Sequence, residues 1–238
     1  MTKKSILVVD DELSIIKLLR ANLEDCGYRV LAAMDGAEAI HTFEKEQFDL
    51  VILDITMPKV DGFEVCRRLR EWSQIPIIML SARGDETDKV KCLELGADDY
   101  ITKPFGASEL IARVKAVMRR TESAAATPTR PSFTSGDLHI NFVNRQITIA
   151  GKEVKLTPTE YNLLQKLVLN PGKVLTYTHL LQKVWGPEYR DEREYLHVFT
   201  GRLRNKLEPD PAHPKYLITV AGVGYKFEKQ GGFEKQGG

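Results

Sequence analysis

Five short apolar segments, separated by helix-length stretches, restrict what the first half of this chain can become. Ser5–Val9, Arg29–Ala33, Leu50–Leu53, Pro76–Leu80 and Tyr100–Thr102 read as strands. Leu50-Val51-Ile52-Leu53 has no polar alternation, so it reads as a strand buried on both faces. After the first strand, Ile15, Ile16, Leu18, Leu19 and Leu23 recur at helical spacing up to Cys26, and Gly27 stands where a helix C-cap is expected. Ala37–Phe43, Phe63–Trp72, Glu86–Leu95 (closed by Gly96) and Ser108–Arg120 supply four more helices, with Val65, Leu69 and Trp72 on one face of the third. Strict strand–helix alternation implies a parallel sheet covered by helices on both faces, because parallel strands need long right-handed crossovers.

In such a sheet, chemistry gathers at the C-terminal ends of the strands. Asp10 and Asp11 follow the first strand, Asp54 the third, Ser81 the fourth and Lys103 the fifth. A lone Asp at such a tip is ordinarily a capping residue; five polar residues from four segments on one edge are a site. Crowded carboxylates raise one another's pKa values unless a cation neutralises them. Mg²⁺ suits a few carboxylates, water and phosphate oxygens. Asp54 is then the candidate nucleophile toward a phosphoryl group, with Mg²⁺ and the Lys103 ammonium stabilising the transferring oxygens. The Ser81 hydroxyl can hydrogen-bond one of those oxygens. A cis Lys103-Pro104 bond would aim the lysine back into the site.

Asp10-Asp11, Asp54 with Met57-Pro58 and Asp61-Gly62, Ser81-Ala82 and Lys103-Pro104-Phe105 together resemble a bacterial response-regulator receiver domain over about residues 4–120. The resemblance implies Asp10 and Asp11 as the acid pair, Asp54 as phosphoacceptor and Ser81 as switch hydroxyl. It makes Lys103 the phosphate-sensing lysine, Tyr100 the aromatic switch and the Thr56 carbonyl the remaining protein metal ligand. It also implies Mg²⁺, a sensor histidine kinase as phosphodonor and slow self-catalysed dephosphorylation rather than enzymatic turnover. An aspartate-nucleophile phosphatase would place a second Asp two residues after the first as general acid; here that position is Thr56.

Charges between Asp88 and Arg120 carry a further implication. As solvated helix faces they need no explanation. The segment nonetheless resembles receivers that dimerise through their fourth helix, fifth strand and fifth helix. Lys89–Glu109, Asp98–Arg113 and Asp99–Arg120 are then expected as intersubunit pairs in a self-complementary patch.

Thr121–Phe133 is poor in large apolar residues and holds Pro128 and Pro131, so it reads as a flexible tether. The chain beyond is mildly basic: residues 1–120 hold 18 Lys/Arg against 21 Asp/Glu, and residues 121–238 hold 16 against 12. That balance permits a nucleic-acid partner. Leu138–Phe142, Gln146–Ile149 and Glu153–Leu156 suggest a small antiparallel sheet. Thr157-Pro158-Thr159-Glu160 carries a capping box and Pro at the first helical position. Tyr177–Trp185 is a short helix, and about Arg193–Leu207 a longer one with Leu196, Phe199, Leu203 and Leu207 on its core face. The other side of that helix offers Arg193, His197, Thr200, Gly201, Arg202, Arg204, Asn205 and Lys206. Alone, this is a solvated basic face. At the end of a three-helix unit it fits a helix-turn-helix reader, with the hairpin Tyr216–Val220 and Tyr225–Phe227 placed as a wing.

Residues 134–228 resemble the winged-helix effector domain of OmpR/PhoB response regulators. The residues that carry this are Leu156–Tyr161, Val184-Trp185-Gly186, Arg202-Leu203-Arg204 with Lys206-Leu207, and Gly222–Tyr225. The resemblance implies major-groove contacts at His197, Thr200, Arg202 and Arg204. It implies phosphate contacts at Arg193 and Lys206, with Lys226 reaching a phosphate from the wing. Ala221 stands where many members have a basic wing residue. The block Val184–Tyr189 with Tyr195-Leu196 looks like regulators of the Kdp potassium-uptake system. The expected molecule is a phosphorylation-activated transcription factor binding double-stranded promoter DNA in tandem half-sites as a homodimer and addressing RNA polymerase. A non-DNA interaction module is the competing reading of the second half.

Cys26, Cys66 and Cys92 share no metal-ligand spacing and cannot all pair, so reduced cytoplasmic thiols are expected. No signal peptide and no membrane-spanning run is evident, so no membrane partner is expected. Residues 229–238 read as a disordered tail, the Phe-Glu-Lys-Gln-Gly-Gly of 227–232 being repeated at 233–238.

Overall fold

The computed structural model describes residues 3–82, 86–122 and 131–231; the second copy of the tail repeat and most of the tether lie outside them. The chain divides into two units, 1–122 and 123–238.

In the first unit, β1 (Ser5–Val9), β2 (Arg29–Ala33), β3 (Leu50–Asp54), β4 (Ile77–Ser81) and β5 (Asp99–Thr102) form one parallel sheet in the order β2-β1-β3-β4-β5. Between them run α1 (Leu13–Asp25), α2 (Gly36–Lys45), α3 (Gly62–Trp72) and α4 (Glu86–Leu95), and α5 (Ala107–Glu122) follows. Strand side chains alternate between two cores. Leu7, Val9, Val51, Leu53, Ile77 and Met79 pack with residues of α2, α3 and α4. Ile6, Val8, Leu50, Ile52, Ile78 and Leu80 pack with α1 and α5. With every residue of β1, β3 and β4 buried, those strands must read as unbroken apolar runs. Trp72 departs from its expected inward place: it is 48% exposed, its ring edge-on to Phe43 at 5.1 Å.

In the second unit, β6 (Ser132–Ser135), β7 (Leu138–Asn141), β8 (Gln146–Ile149) and β9 (Lys152–Glu153) form an antiparallel sheet in chain order. The first of these strands was not expected, and the last is shorter than expected. Three helices follow: α6 (Pro158–Val168), α7 (Tyr177–Val184) and α8 (Arg193–Leu207). Both halves of the capping box form at α6: the Thr157 side chain accepts from the Glu160 N–H, and the Glu160 carboxylate accepts from the Thr157 N–H at 2.8 Å. The hairpin of β11 (Leu217–Val220) and β12 (Gly224–Phe227) gains a third strand, β10 (Val174–Thr176), paired to β12. Gly224 is required there by space, since a Cβ on it would lie 1.9 Å from the Leu175 carbonyl oxygen. This is a winged helix-turn-helix: three helices, a preceding sheet and a hairpin wing.

Candidate functional site

At the C-terminal edge of the parallel sheet, Lys103 Nζ lies 2.7 Å from Asp10 Oδ2 and 2.7 Å from Asp54 Oδ1. Each remaining oxygen of those carboxylates is fixed by backbone: the Glu12 N–H donates to Asp10 Oδ1 and the Thr56 N–H to Asp54 Oδ2, both at 2.9 Å. Asp10 and Asp54 are buried and Asp11 is exposed. One oxygen from each of the three lies within 4.8 Å of the others. The Lys103-Pro104 peptide is cis, and the Lys103 N–H donates to the Ser81 carbonyl at 2.6 Å, tying β5 to β4 beside the site.

Burial pushes the Asp54 carboxyl above its ordinary pKa, against the pull of Lys103, while the nearby Asp10 charge adds to the rise. Burial also works against the Lys103 ammonium, but the Asp10 and Asp54 hydrogen bonds and charges outweigh it and raise its pKa. Among the described residues, one ammonium for three carboxylates leaves excess negative charge, and the donor set is all oxygen. That set fits a hard divalent ion such as Mg²⁺, with Asp11 on the solvent side to complete it.

Ser81 and Tyr100 are both buried. Burial pushes the Tyr100 phenol above its ordinary pKa, against the opposing pull of the Ser81 and Thr102 side chains. The structure thus has the aromatic ring inward and beside the Ser81 hydroxyl.

The charges of α4, β5 and α5 depart from expectation. Asp98 is fully buried and pairs with Arg70 of α3 at 3.1 Å, also accepting the Ile77 N–H at 3.1 Å. Asp99, equally buried, takes Arg113 at 3.1 Å and Arg120 at 3.2 Å. Within the chain Asp98 is thus held by Arg70, and Asp99 by both Arg113 and Arg120, where Asp98–Arg113 and Asp99–Arg120 are expected across a two-fold axis. Consecutive residues entering a strand point to opposite faces, which sends Asp98 toward α3 and Asp99 toward α5. A carboxylate so enclosed needs its cation inside the same chain. Arg113 also pairs with Glu109, one helical turn earlier on exposed surface. Arg70 was missed from the sequence because nothing local marks it.

The basic residues of α8 also divide differently from the expected single face. Arg202, its side chain 10% exposed, stacks over Phe199 with its guanidinium carbon 4.6 Å from the ring centroid and meets Glu160 Oε1 at 2.8 Å. Lys206 meets Glu160 Oε2 at 2.7 Å. Thr200 is buried. Arg204 donates through Nε and Nη2 to the Leu217 carbonyl, at 3.0 and 2.6 Å, and through Nη2 to Thr219 Oγ1. Thr200 is therefore enclosed, and the Arg202 and Arg204 head groups are engaged within the domain in this conformation. At 3.6 residues per turn, positions 202 and 206 share a flank facing α6, whereas 200 and 204 lie toward the hairpin. Arg193 and His197 remain exposed, Arg193 over the Tyr177 ring and His197 with Nδ1 2.7 Å from the Tyr225 hydroxyl. Lys226 pairs with Glu228 on the wing. Glu160, which the sequence offered only as a cap, is the missed residue here.

An acid-edged parallel sheet joined to a winged helix defines a regulator that couples a receiver to a DNA-binding domain. Residues 6–115 match the response regulator receiver domain family, and residues 151–227 match the family of transcriptional regulatory protein C-terminal domains. The KdpE transcriptional regulatory protein of Mycobacterium tuberculosis is 45% identical over 94% of this chain and 98% of its own length. Its Escherichia coli counterpart, of the KDP operon, is 44% identical over 94% and 98%. A probable transcriptional regulator, ycf27, of Cyanophora paradoxa is 43% identical over 96% and 98%. Among solved structures, a RitR mutant superposes with a TM-score of 0.77 at 26% identity, over 95% of this chain and 99% of its own. DrrB of Thermotoga maritima, described as an OmpR/PhoB homolog, gives 0.51 at 33% identity over 95% and 100%. The chain belongs to the OmpR/PhoB family of two-component response regulators, DNA-binding proteins of transcription regulation. Among the described residues no helix is long and apolar enough to cross a membrane.

Proposed function

We propose that this chain is switched by phosphoryl transfer from a sensor histidine kinase to Asp54 and, so switched, binds promoter DNA as a homodimer. The observation that carries the reading is the meeting of Asp10, Asp54 and Lys103 at hydrogen-bond distance, although 93 residues separate Asp10 from Lys103. An Asp54 carboxylate oxygen attacks phosphorus as the bond to the donor's nitrogen breaks, and the Thr56 N–H steadies the acceptor's second oxygen. Lys103 is placed to move from the carboxylates to a phosphoryl oxygen as charge develops there. Asp10, Asp11, Asp54 and the Thr56 carbonyl would hold Mg²⁺, which when bound neutralises charge on the transferring oxygens. Asp54 here is a phosphorylation site with self-catalysed loss of phosphoryl, not the nucleophile of an enzyme acting on external esters.

The readout runs through Ser81 and Tyr100. A Ser81 hydroxyl drawn to the phosphoryl group leaves the phenol it now meets, which changes how the Tyr100 ring is held against α4. The face of α4, β5 and α5, where Lys89 and Glu109 remain candidate partners across a two-fold axis, then pairs with its copy. Two winged helices on one dimer act on tandem half-sites at raised effective concentration and stand ready to meet RNA polymerase. Arg193 and His197 supply exposed groups toward DNA, and the half-buried Lys226 adds one from the wing.

Incubating the full chain with acetyl phosphate and Mg²⁺ tests the first step. Hydroxylamine-labile phosphate should reach about one per chain and vanish in Asp54→Asn. Undiminished incorporation in that variant would sink the proposal.

A further inference from the structure

α8 carries two basic residues that its own domain holds. The Glu160 carboxylate is fully buried, yet both its oxygens meet cations, Oε1 with Arg202 at 2.8 Å and Oε2 with Lys206 at 2.7 Å. Oε2 also accepts the Thr157 N–H at 2.8 Å, which fixes the carboxylate at the start of α6. The Lys206 ammonium has a second tie within the chain, to the Lys155 carbonyl at 3.2 Å. Arg202 and Lys206 are four residues apart and so lie one above the other on a single flank of the helix. Glu160 thus grips α8 at two points a turn apart, which sets both the position of the helix and its rotation about its own axis. The arrangement holds two cations for one anion, and only Lys206 keeps a substantial part of its side chain, 32%, in solvent.

Sequence-independent affinity for DNA rises with each phosphate that a Lys or Arg neutralises, whereas specificity comes from base edges read in a fixed register. A carboxylate that holds two helix cations away from phosphates lowers the first quantity. By fixing how the helix is turned, it protects the second. We infer that Glu160 is a positioning residue that sets the ratio of sequence-specific to sequence-independent DNA binding by restraining Arg202 and Lys206. This inference rests on the DNA-binding reading of the domain and deepens it.

The test is the salt dependence of binding to a mixed-sequence duplex by the full-length protein, measured by fluorescence anisotropy. Glu160→Gln keeps a side chain able to complete the capping box but removes the charge. Two freed cations should steepen the slope of log K against log salt by about 1.8. The fourfold salt change from 50 to 200 mM would then cost the variant about tenfold more affinity than it costs the wild-type chain. In a pool of random duplexes the variant should also enrich preferred sequences less.

A merely structural Glu160 would lower affinity for all duplexes and leave the slope alone. That result, in a chain that melts cooperatively, would overturn the inference. Lys206→Gln in the otherwise natural chain gives a second test that leaves Glu160 in place. The inference expects its slope to match wild type, because Glu160 already holds the ammonium; a slope lower by about 0.9 would mean a direct phosphate contact and would also overturn it. Failure of the wild-type chain to bind any duplex at low salt would instead remove the DNA reading underneath, and that is visible before any variant is made.

Discussion

Replacing Gly62 by Ala should damage the proposed phosphoacceptor site from behind. A Cβ built on Gly62 would lie 2.1 Å from the carbonyl oxygen of Asp54 and 2.9 Å from both its carbonyl carbon and the Ile55 Cα. The Gly62 N–H also donates to the Ile55 carbonyl at 3.0 Å, so α3 starts hard against the end of β3. No side chain can rotate to relieve such a clash, because the obstacle is backbone. The turn must open by roughly an ångström, and overpacking of this kind typically costs about 1–3 kcal/mol. For a unit of this size that is a fall in Tm of about 4–12 °C. The displaced residue is Asp54 itself, and misplacing a reacting group by about an ångström can lower a rate by about 10²-fold. Differential scanning calorimetry and the initial rate of labelling by acetyl phosphate read the two effects separately. Gly106→Ala is the control: its Cβ would meet nothing nearer than Ser108 Oγ at 3.8 Å, so Tm should stay within about 2 °C. A Gly62→Ala chain that melts with wild type and is labelled within twofold of its rate would refute the reasoning.

Arg70→Ala leaves the fully buried Asp98 without its arginine and should cost about 3–5 kcal/mol. Arg29→Ala, at an exposed pair with Glu46, should cost about 0–1 kcal/mol; equal shifts in denaturant midpoint for the two would contradict the burial argument. Burial alone would raise the Glu160 carboxyl, but the Arg202 and Lys206 charges prevail and hold it below its ordinary value. With the folded pKa depressed, the stabilisation is complete above the unfolded value of about 4.3 and is lost as pH falls through the folded one. Trp185, enclosed by Tyr195 and Phe199, reports unfolding of its unit in a Trp72→Phe background. Its denaturant midpoint should fall on acidification below pH about 4.3, and fall less in Glu160→Gln. Thiol reagents should modify Cys26 readily in the native chain and spare Cys66 and Cys92, which are buried; burial pushes the Cys92 thiol up to about 12. Rapid modification of three thiols before unfolding would contradict the packing of α3 and α4.

What could be read from the sequence, and what could not, follows from how far the deciding interaction reaches along the chain. The acid site was legible because its members all stand at strand ends, Asp10 and Asp11 sharing one, and parallel strands bring such ends to one edge whatever their separation. The capping box at Thr157 was legible because its parts are three residues apart. Trp72 misled because helical period places it on the apolar face, although that face has run past the core by the last turn. β10 is three residues long and gains its strand character from β12, fifty residues later in the chain, so no local pattern could mark it. The charged residues were the least legible. Asp98 finds Arg70, 28 residues before it, and Glu160 finds Lys206, 46 residues after it. Periodicity says which face of a helix is apolar, but not what neighbours flank the rest. On α8 that distinction decides which basic groups are held within the domain. Arg202 and Lys206 face α6, and Arg204 is turned to the Leu217 carbonyl. A count of basic residues on the helix therefore overstates the charge it can offer to phosphates. If α8 is the element that meets DNA, as proposed, the part left free for it is narrower and more neutral, and those properties favour reading bases over gripping a backbone.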